Sequence, residues 1–168
     1  MIPDPCTTVA FTGHRTYCGE ASAALAAAIR GLHAHGFRTF LCGMAVGFDL
    51  AAAEAVLELR DSLPGLRLVA VVPFGGQEAR FSPADRVRYR AAMASADDAV
   101  VLSPVYHAGC YAVRNNYLVD HASLLVAWYD GSPGGTRHTV FRALRRGLEF
   151  VNLHPQRAGV ALTEPTLF

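Results

Sequence analysis

Six short apolar runs divide this chain, and the longer stretches between them are alanine-rich or amphipathic. Runs of four to six residues are strand-length, while the connections leave room for a helix. Strand and helix in regular alternation is the sequence form of a parallel sheet. The spacing predicts strands at Thr8–Thr12, Thr39–Cys42, Arg67–Val72, Asp98–Leu102, Leu124–Tyr129 and Glu149–Leu153. Helices are expected over Glu20–His35, Phe48–Ser62, Pro83–Ser95, Val113–His121 and Thr136–Arg146. The expected fold class is α/β, a Rossmann-like doubly wound and mainly parallel sheet with helices on both faces.

Local signals mark several boundaries. Ser82-Pro83-Ala84-Asp85 joins an N-cap serine to proline at the first helical position and an acid in the first turn. Gly36 and Gly147 stand where helices should stop. No linker, repeat or low-complexity tract interrupts the pattern, so residues 1–168 read as one domain with a core over about 8–153 and an irregular tail over 155–168.

Composition removes several classes of function. With 52% hydrophobic residues the chain can bury a full core, yet no apolar run approaches the roughly 20 residues of a membrane helix. The N-terminus lacks the basic and apolar regions of a secretion signal, so the expected compartment is the cytoplasm. Cys6, Cys18, Cys42 and Cys110 have no paired or metal-type spacing, and no metal is expected. All 15 residues counted as Lys+Arg are arginine, which excludes a lysine Schiff base and the phosphate lysine of a Walker A loop. A net charge of +1 makes a general nucleic-acid binder an unlikely reading.

Ligands of an open parallel sheet bind beyond the carboxyl ends of its strands. Three turns expected at that edge carry glycine, two of them together with polar or charged groups. They are Gly13-His14-Arg15 after the first strand, Gly43-Met44-Ala45-Val46-Gly47-Phe48-Asp49 after the second, and Asp130 to Gly134-Gly135-Thr136 after the fifth. Each glycine alone is explained by a tight turn. Together they favour a phosphate-containing ligand, because glycine lets backbone N–H groups at a helix N-terminus face an anion. No G-x-G-x-x-G follows the first strand and no acid ends the second, so a dinucleotide dehydrogenase is disfavoured.

Among the charges, Arg114 near the start of the fourth helix is either a surface arginine or a bidentate phosphate ligand, with Asn115 and Asn116 as caps or further contacts. Asp49 reads as an N-cap or as a carboxylate on ribose hydroxyls or a cationic transition state. Glu54, flanked by alanines, lies on the solvent side of its helix or points into the site. His33 and His35 diverge on a helix and so do not share a metal. Arg86, Arg88 and Arg90 around Tyr89 form a solvated face or a basic strip for nucleic acid.

Taken in order, "FTGHR", "CGMAVGFDLAAAEAV" and "YAVRNNYLVDHASLLVAWYDGSPGGTRHTV" resemble the SLOG superfamily. That Rossmann-like group joins YpsA-like proteins, the DNA-processing protein of natural transformation and the Lonely Guy phosphoribohydrolases. The first segment is most similar to the YpsA-like branch. The resemblance implies a nucleotide-type ligand held by the glycine loops, with Arg114 near its phosphate and no cofactor required. The phosphoribohydrolases place a catalytic glutamate downstream of their Gly-Gly loop, and here that position falls near Thr139. Arg114, Asp49 and Glu54 are the catalytic candidates, with Asp130 a further acid that could replace the glutamate. Three readings follow: a module binding an ADP-ribose-like compound or a nucleoside monophosphate, an N-glycosidase acting on such a monophosphate, and a binder of single-stranded DNA. Apolar helix faces would also suit a homodimer.

Overall fold

In a computed structural model, which describes residues 3–155, side chains alternate strictly across the central strands. Along the first strand, β1 (Thr8–Gly13), Val9 and Phe11 enter one core while Ala10 enters the other. The period of two makes each central strand apolar on both sides, which explains why these strands read as unbroken hydrophobic runs. β2 (Thr39–Cys42), β3 (Arg67–Val72), β4 (Asp98–Val101), β5 (Leu124–Trp128) and β6 (Glu149–Asn152) complete one sheet in the order β4-β3-β2-β1-β5-β6. Every pairing is parallel, with Ala10 opposite Leu41 on one side and Leu125 on the other.

The connections are α1 (Ser22–Ala34), α2 (Phe48–Leu59), α3 (Pro83–Ser95), α4 (Cys110–Asp120) and α5 (Gly135–Arg145). Leu25 and Ile29 of α1, Val56 of α2 and Tyr89 of α3 pack on one face. Leu118 and Val119 of α4 pack with Val140 and Ala143 of α5 on the other. Ala52 and Ala53 of α2 are fully buried in the same core as Val56, beside Phe48 and Leu50. From β1 to β4 the chain moves one way across the sheet, then returns past β1 to build β5 and β6. Because crossovers between parallel strands are right-handed, reversing direction moves the helices to the opposite face. The reversal falls between β1 and β5, and their carboxyl ends open the crevice where such folds bind ligands.

The expected boundaries recur with small shifts. Ser82 Oγ accepts the Asp85 N–H at 3.1 Å, as its capping pattern requires. Gly36 (φ 98°) and Gly147 (φ 77°) take the left-handed conformation just past α1 and α5. The largest boundary shifts are three residues: α2 ends at Leu59 rather than Ser62, and α4 starts at Cys110 rather than Val113 after a left-handed Gly109. Cys110, the first residue of that extra turn, is buried. Short 3₁₀ turns at Pro5–Thr7 and Gln77–Arg80 were absent from the sequence pattern, which is too short in each to show a period. The expected irregular tail, after Pro155, lies outside the described residues.

Candidate functional site

A cleft of about 390 Å³ opens at the switch point. Gly13, His14, Arg15, Ala45, Asp49, Arg114, Asn115, Gly135 and Thr136 line it, so residues of the three expected turns converge with two from α4. Gly43 and Met44 are buried behind this lining and Gly47 lies against the Arg15 backbone, whereas Asp130 and Gly134 are exposed outside it.

Arg114 is the centre of the arrangement. Its side chain reaches across from α4 to the β2 loop, where Nη1 donates to the carbonyl oxygen of Gly43. Nε donates to Asn115 Oδ1 at 2.8 Å. The approach requires glycine at 43, since a Cβ there would stand 2.5 Å from Arg114 Nη1. The residue is only 5% exposed, and none of the ion pairs among the described residues includes it. Burial pushes its pKa down, against the pull of Asp49, yet arginine stays charged at any physiological pH. A buried cation with no ion pair is expensive for the fold and is relieved by a bound anion.

Asp49 is buried beside it, within the first turn of α2. Gly47, with no side-chain cap, is the helix N-cap, so the expected capping role of Asp49 is not what the structure has. Its Oδ2 instead accepts the N–H of Ala45 at 3.3 Å and closes the preceding loop. Within that loop Met44 is held left-handed at φ 61°, a conformation that costs a side-chain-bearing residue about 1–3 kcal/mol. Desolvation pushes the Asp49 carboxyl up to about 6, with Arg114, Ala45 and Arg15 pulling it down. Burial likewise raises the Cys42 thiol well above its ordinary range, so the thiol stays neutral and donates to the Asp49 carbonyl oxygen at 3.1 Å.

Opposite Arg114 stands the start of α5. Gly134 adopts φ 136° and ψ −164°, a region essentially reserved for glycine, and caps the helix without a side-chain bond. The His138 N–H donates to Gly134 O at 3.1 Å, so the N–H groups of Gly135, Thr136 and Arg137 precede the helical ladder. Gly135 and Thr136 present this end to the cleft.

Two loops are latched across the switch point. His14 Nε2 accepts the Asp130 N–H at 3.1 Å when neutral and lies 2.8 Å from Asp130 Oδ1, to which it would donate when protonated. Asp130 Oδ1 also accepts from Ser132 N at 2.8 Å and Ser132 Oγ at 2.6 Å, and these bonds hold its pKa below the usual range. Asp130 therefore fastens the loop at the rim and does not line the cleft.

Glu54 lies elsewhere. It faces solvent between α2 and α3 and pairs with Arg88, which also binds Asp85 at 3.1 Å. Five residues separate it from Asp49, about 140° around a helix, so the two acids cannot share a face. Thr139 is fully buried and donates its hydroxyl to Gly135 O at 2.9 Å. Of the expected basic strip on α3, Arg86 is bound to the carbonyls of Glu78, Ala79 and Phe81, Arg88 to Glu54 and Asp85, and Tyr89 lies in the core, while Arg90 is exposed.

Sequence reading missed Tyr111. Its ring centre lies 5.8 Å from the Arg15 guanidinium and 5.9 Å from that of Arg114. Three residues before Arg114, it shares that helix face, a signal hidden by starting α4 too late.

With this geometry in place, comparisons with other proteins bear on the reading. The family model described as the YspA SLOG family matches residues 9–149. An uncharacterized SPbeta prophage-derived protein, YoqJ of Bacillus subtilis, is 28% identical over 130 residues, covering 69% of this chain and 76% of YoqJ. DNA processing protein A of Streptococcus pneumoniae superposes with a TM-score of 0.63 at 20% identity, covering 86% of this chain and 49% of that one. DNA processing protein A of Helicobacter pylori, whose structure concerns its binding of single-stranded DNA, gives 0.59 at 15% identity over 86% of this chain and 62% of its own. At such identities the likeness is one of fold. The chain spans about half the length of the pneumococcal protein and 54% of a UPF0398 relative from Halalkalibacterium halodurans.

Proposed function

Because the chain belongs to the YspA SLOG family, we propose that its switch-point cleft binds a nucleotide-type ligand, a nucleoside monophosphate or an ADP-ribose-like compound, by its phosphate. The observation that carries this reading is Arg114, a buried guanidinium outside every ion pair among the described residues, facing the uncapped start of α5. Phosphate completes both: the N–H groups and helix dipole of Gly135 and Thr136 take one side, and Arg114 supplies charge on the other. Gly13 lets the β1 turn lie against Phe48, where a Cβ would come within 2.4 Å of the ring.

Binding without cleavage is the form of this function the residues favour. Hydrolysis of an N-glycosidic bond passes through an oxocarbenium-like state that a carboxylate must face. Thr139 supplies none, Glu54 is turned away and Asp130 is engaged at the rim. Asp49 alone of these lines the cleft, and its carboxylate is already engaged by the Ala45 N–H and lies under the pull of Arg114.

The test is one incubation of purified protein with AMP, ribose 5-phosphate and ADP-ribose, read by calorimetry and by chromatography of the products. Binding with intact ligand is the expected result. Release of free base would assign an N-glycosidase using Asp49, and no binding of any phosphate compound would end the nucleotide reading. Single-stranded DNA is the second reading, favoured by fold likeness to the Helicobacter pylori protein. It requires oligonucleotide binding with a steep salt dependence.

A further inference from the structure

A second cavity of about 450 Å³ adjoins the cleft, and Arg15 and Tyr111 line both. Its walls are unusual for a surface depression. Phe74 meets Tyr106 edge-on at 5.4 Å and Tyr111 edge-on at 5.9 Å, while Tyr106 and Tyr111 lie 6.4 Å apart. Arg15 and Arg80 add two guanidinium groups to the lining. Three rings thus form an aromatic corner with cationic sides.

The corner is built into the fold. Phe74 follows β3 and Tyr106 follows β4, and the two loops are tied by Gly75 N donating to Ser103 O at 3.0 Å. Only glycine fits at 75, because a Cβ would stand 2.8 Å from the Pro104 carbonyl oxygen. Gln77, buried in the inner wall, donates Nε2 to Gly43 O at 3.4 Å, the same carbonyl that receives Arg114 Nη1. One backbone oxygen therefore joins the wall of the aromatic cavity to the cation of the cleft. Tyr106 remains 62% exposed, an arrangement that places a large flat apolar surface in water.

We propose that this cavity receives the base of the nucleotide, an inference that rests on the phosphate reading of the cleft. A planar π system is the group that three aromatic edges and faces and two guanidiniums bind together. The size falls within the range of small-ligand cavities, and the shared Arg15 and Tyr111 give a continuous path from phosphate to base. The larger groove between α1 and α2 has no comparable ring cluster. Ribose then spans the Arg15–Tyr111 boundary.

Calorimetric titration of the whole chain with AMP and with ribose 5-phosphate tests this, on wild type and on Tyr106→Ala and Phe74→Leu. Wild type should bind AMP about tenfold more tightly than ribose 5-phosphate, the scale of one base stacked on aromatic rings. Both variants should lose that advantage and keep their affinity for ribose 5-phosphate. Tyr106 is mostly exposed, so its removal leaves folding intact and decides the matter if Phe74→Leu unfolds. Equal affinity of wild type for the two compounds, or an unchanged AMP advantage in Tyr106→Ala, overturns the base site and leaves the phosphate reading standing. If neither compound binds, the phosphate reading fails and the base site with it. Tighter, strongly salt-dependent binding of oligothymidylate than of AMP would overturn the mononucleotide assignment in favour of single-stranded DNA.

Discussion

A larger groove and the switch-point cleft differ in the opposite sense from their sizes. The groove between α1, α2 and the head of α3 encloses about 940 Å³, the cleft about 390 Å³. In the groove, Arg88 is neutralised by Glu54 and Asp85. In the cleft, Arg114 is in no direct ion pair among the described residues, with only the nearby buried Asp49 to offset its charge, and a helix start keeps its N–H groups uncapped. Space is common at a surface where helices diverge; unsatisfied polarity held in place by buried glycines is not. The comparison teaches that a site is marked by what the fold leaves unpaired.

Replacing Arg114 is the strongest way to break that contrast. Arg114→Ala should weaken AMP binding by about 100-fold, the scale of losing charge-assisted hydrogen bonds in a buried setting. Calorimetry measures it, with circular dichroism to confirm the fold. An affinity within a few fold of wild type would sink the cleft as the phosphate site.

Asp49 sharpens the contrast through pH. Its carboxyl titrates at about 6 in the folded chain and near 3.9 when unfolded. Between these values the native state holds a proton that the unfolded state has lost, so this group's contribution to stability falls as pH rises from about 4 to about 6. The whole effect is on the order of 3 kcal/mol. Wild type should therefore lose about that much more stability than Asp49→Asn between pH 4 and pH 7 in urea titrations. Parallel pH profiles would mean that Asp49 is not desolvated.

Gly43→Ala tests positioning without removing charge. The new methyl would collide with Arg114 Nη1 and displace the guanidinium, and affinity for AMP should fall by about tenfold while the fold persists. Arg88→Ala should do least. Its loss from the large groove should leave AMP affinity within twofold and lower stability by about 1 kcal/mol or less, as exposed ion pairs do.

Much of this was legible without coordinates. The alternation of runs announced the parallel sheet because strands buried on both faces must be mostly apolar, as β1, β2 and β5 are. The loops after β1, β2 and β5 were legible because backbone close to a ligand or to another chain segment demands glycine. Tyr111 was not, because the first turn of α4 follows a left-handed Gly109 and carries no side-chain capping signal of its own. Glu54 stayed open because flanking alanines look alike on a buried and an exposed helix face. Helical phase relative to Asp49 separates them only once the buried face of α2 is known.

By itself, then, the sequence determined the strand and helix order, the glycine turns and the exclusion of lysine chemistry, since each depends on local backbone geometry or on residue type alone. Tertiary structure decided which charges meet. Arg114 and Gly43 are 71 residues apart and touch because β1, β2 and α4 converge at one sheet edge. Glu54, only five residues from Asp49, is carried away by the turn of its own helix. Proximity along the chain is a property of the sequence, while proximity in the cleft depends on strand order and on which face each helix buries.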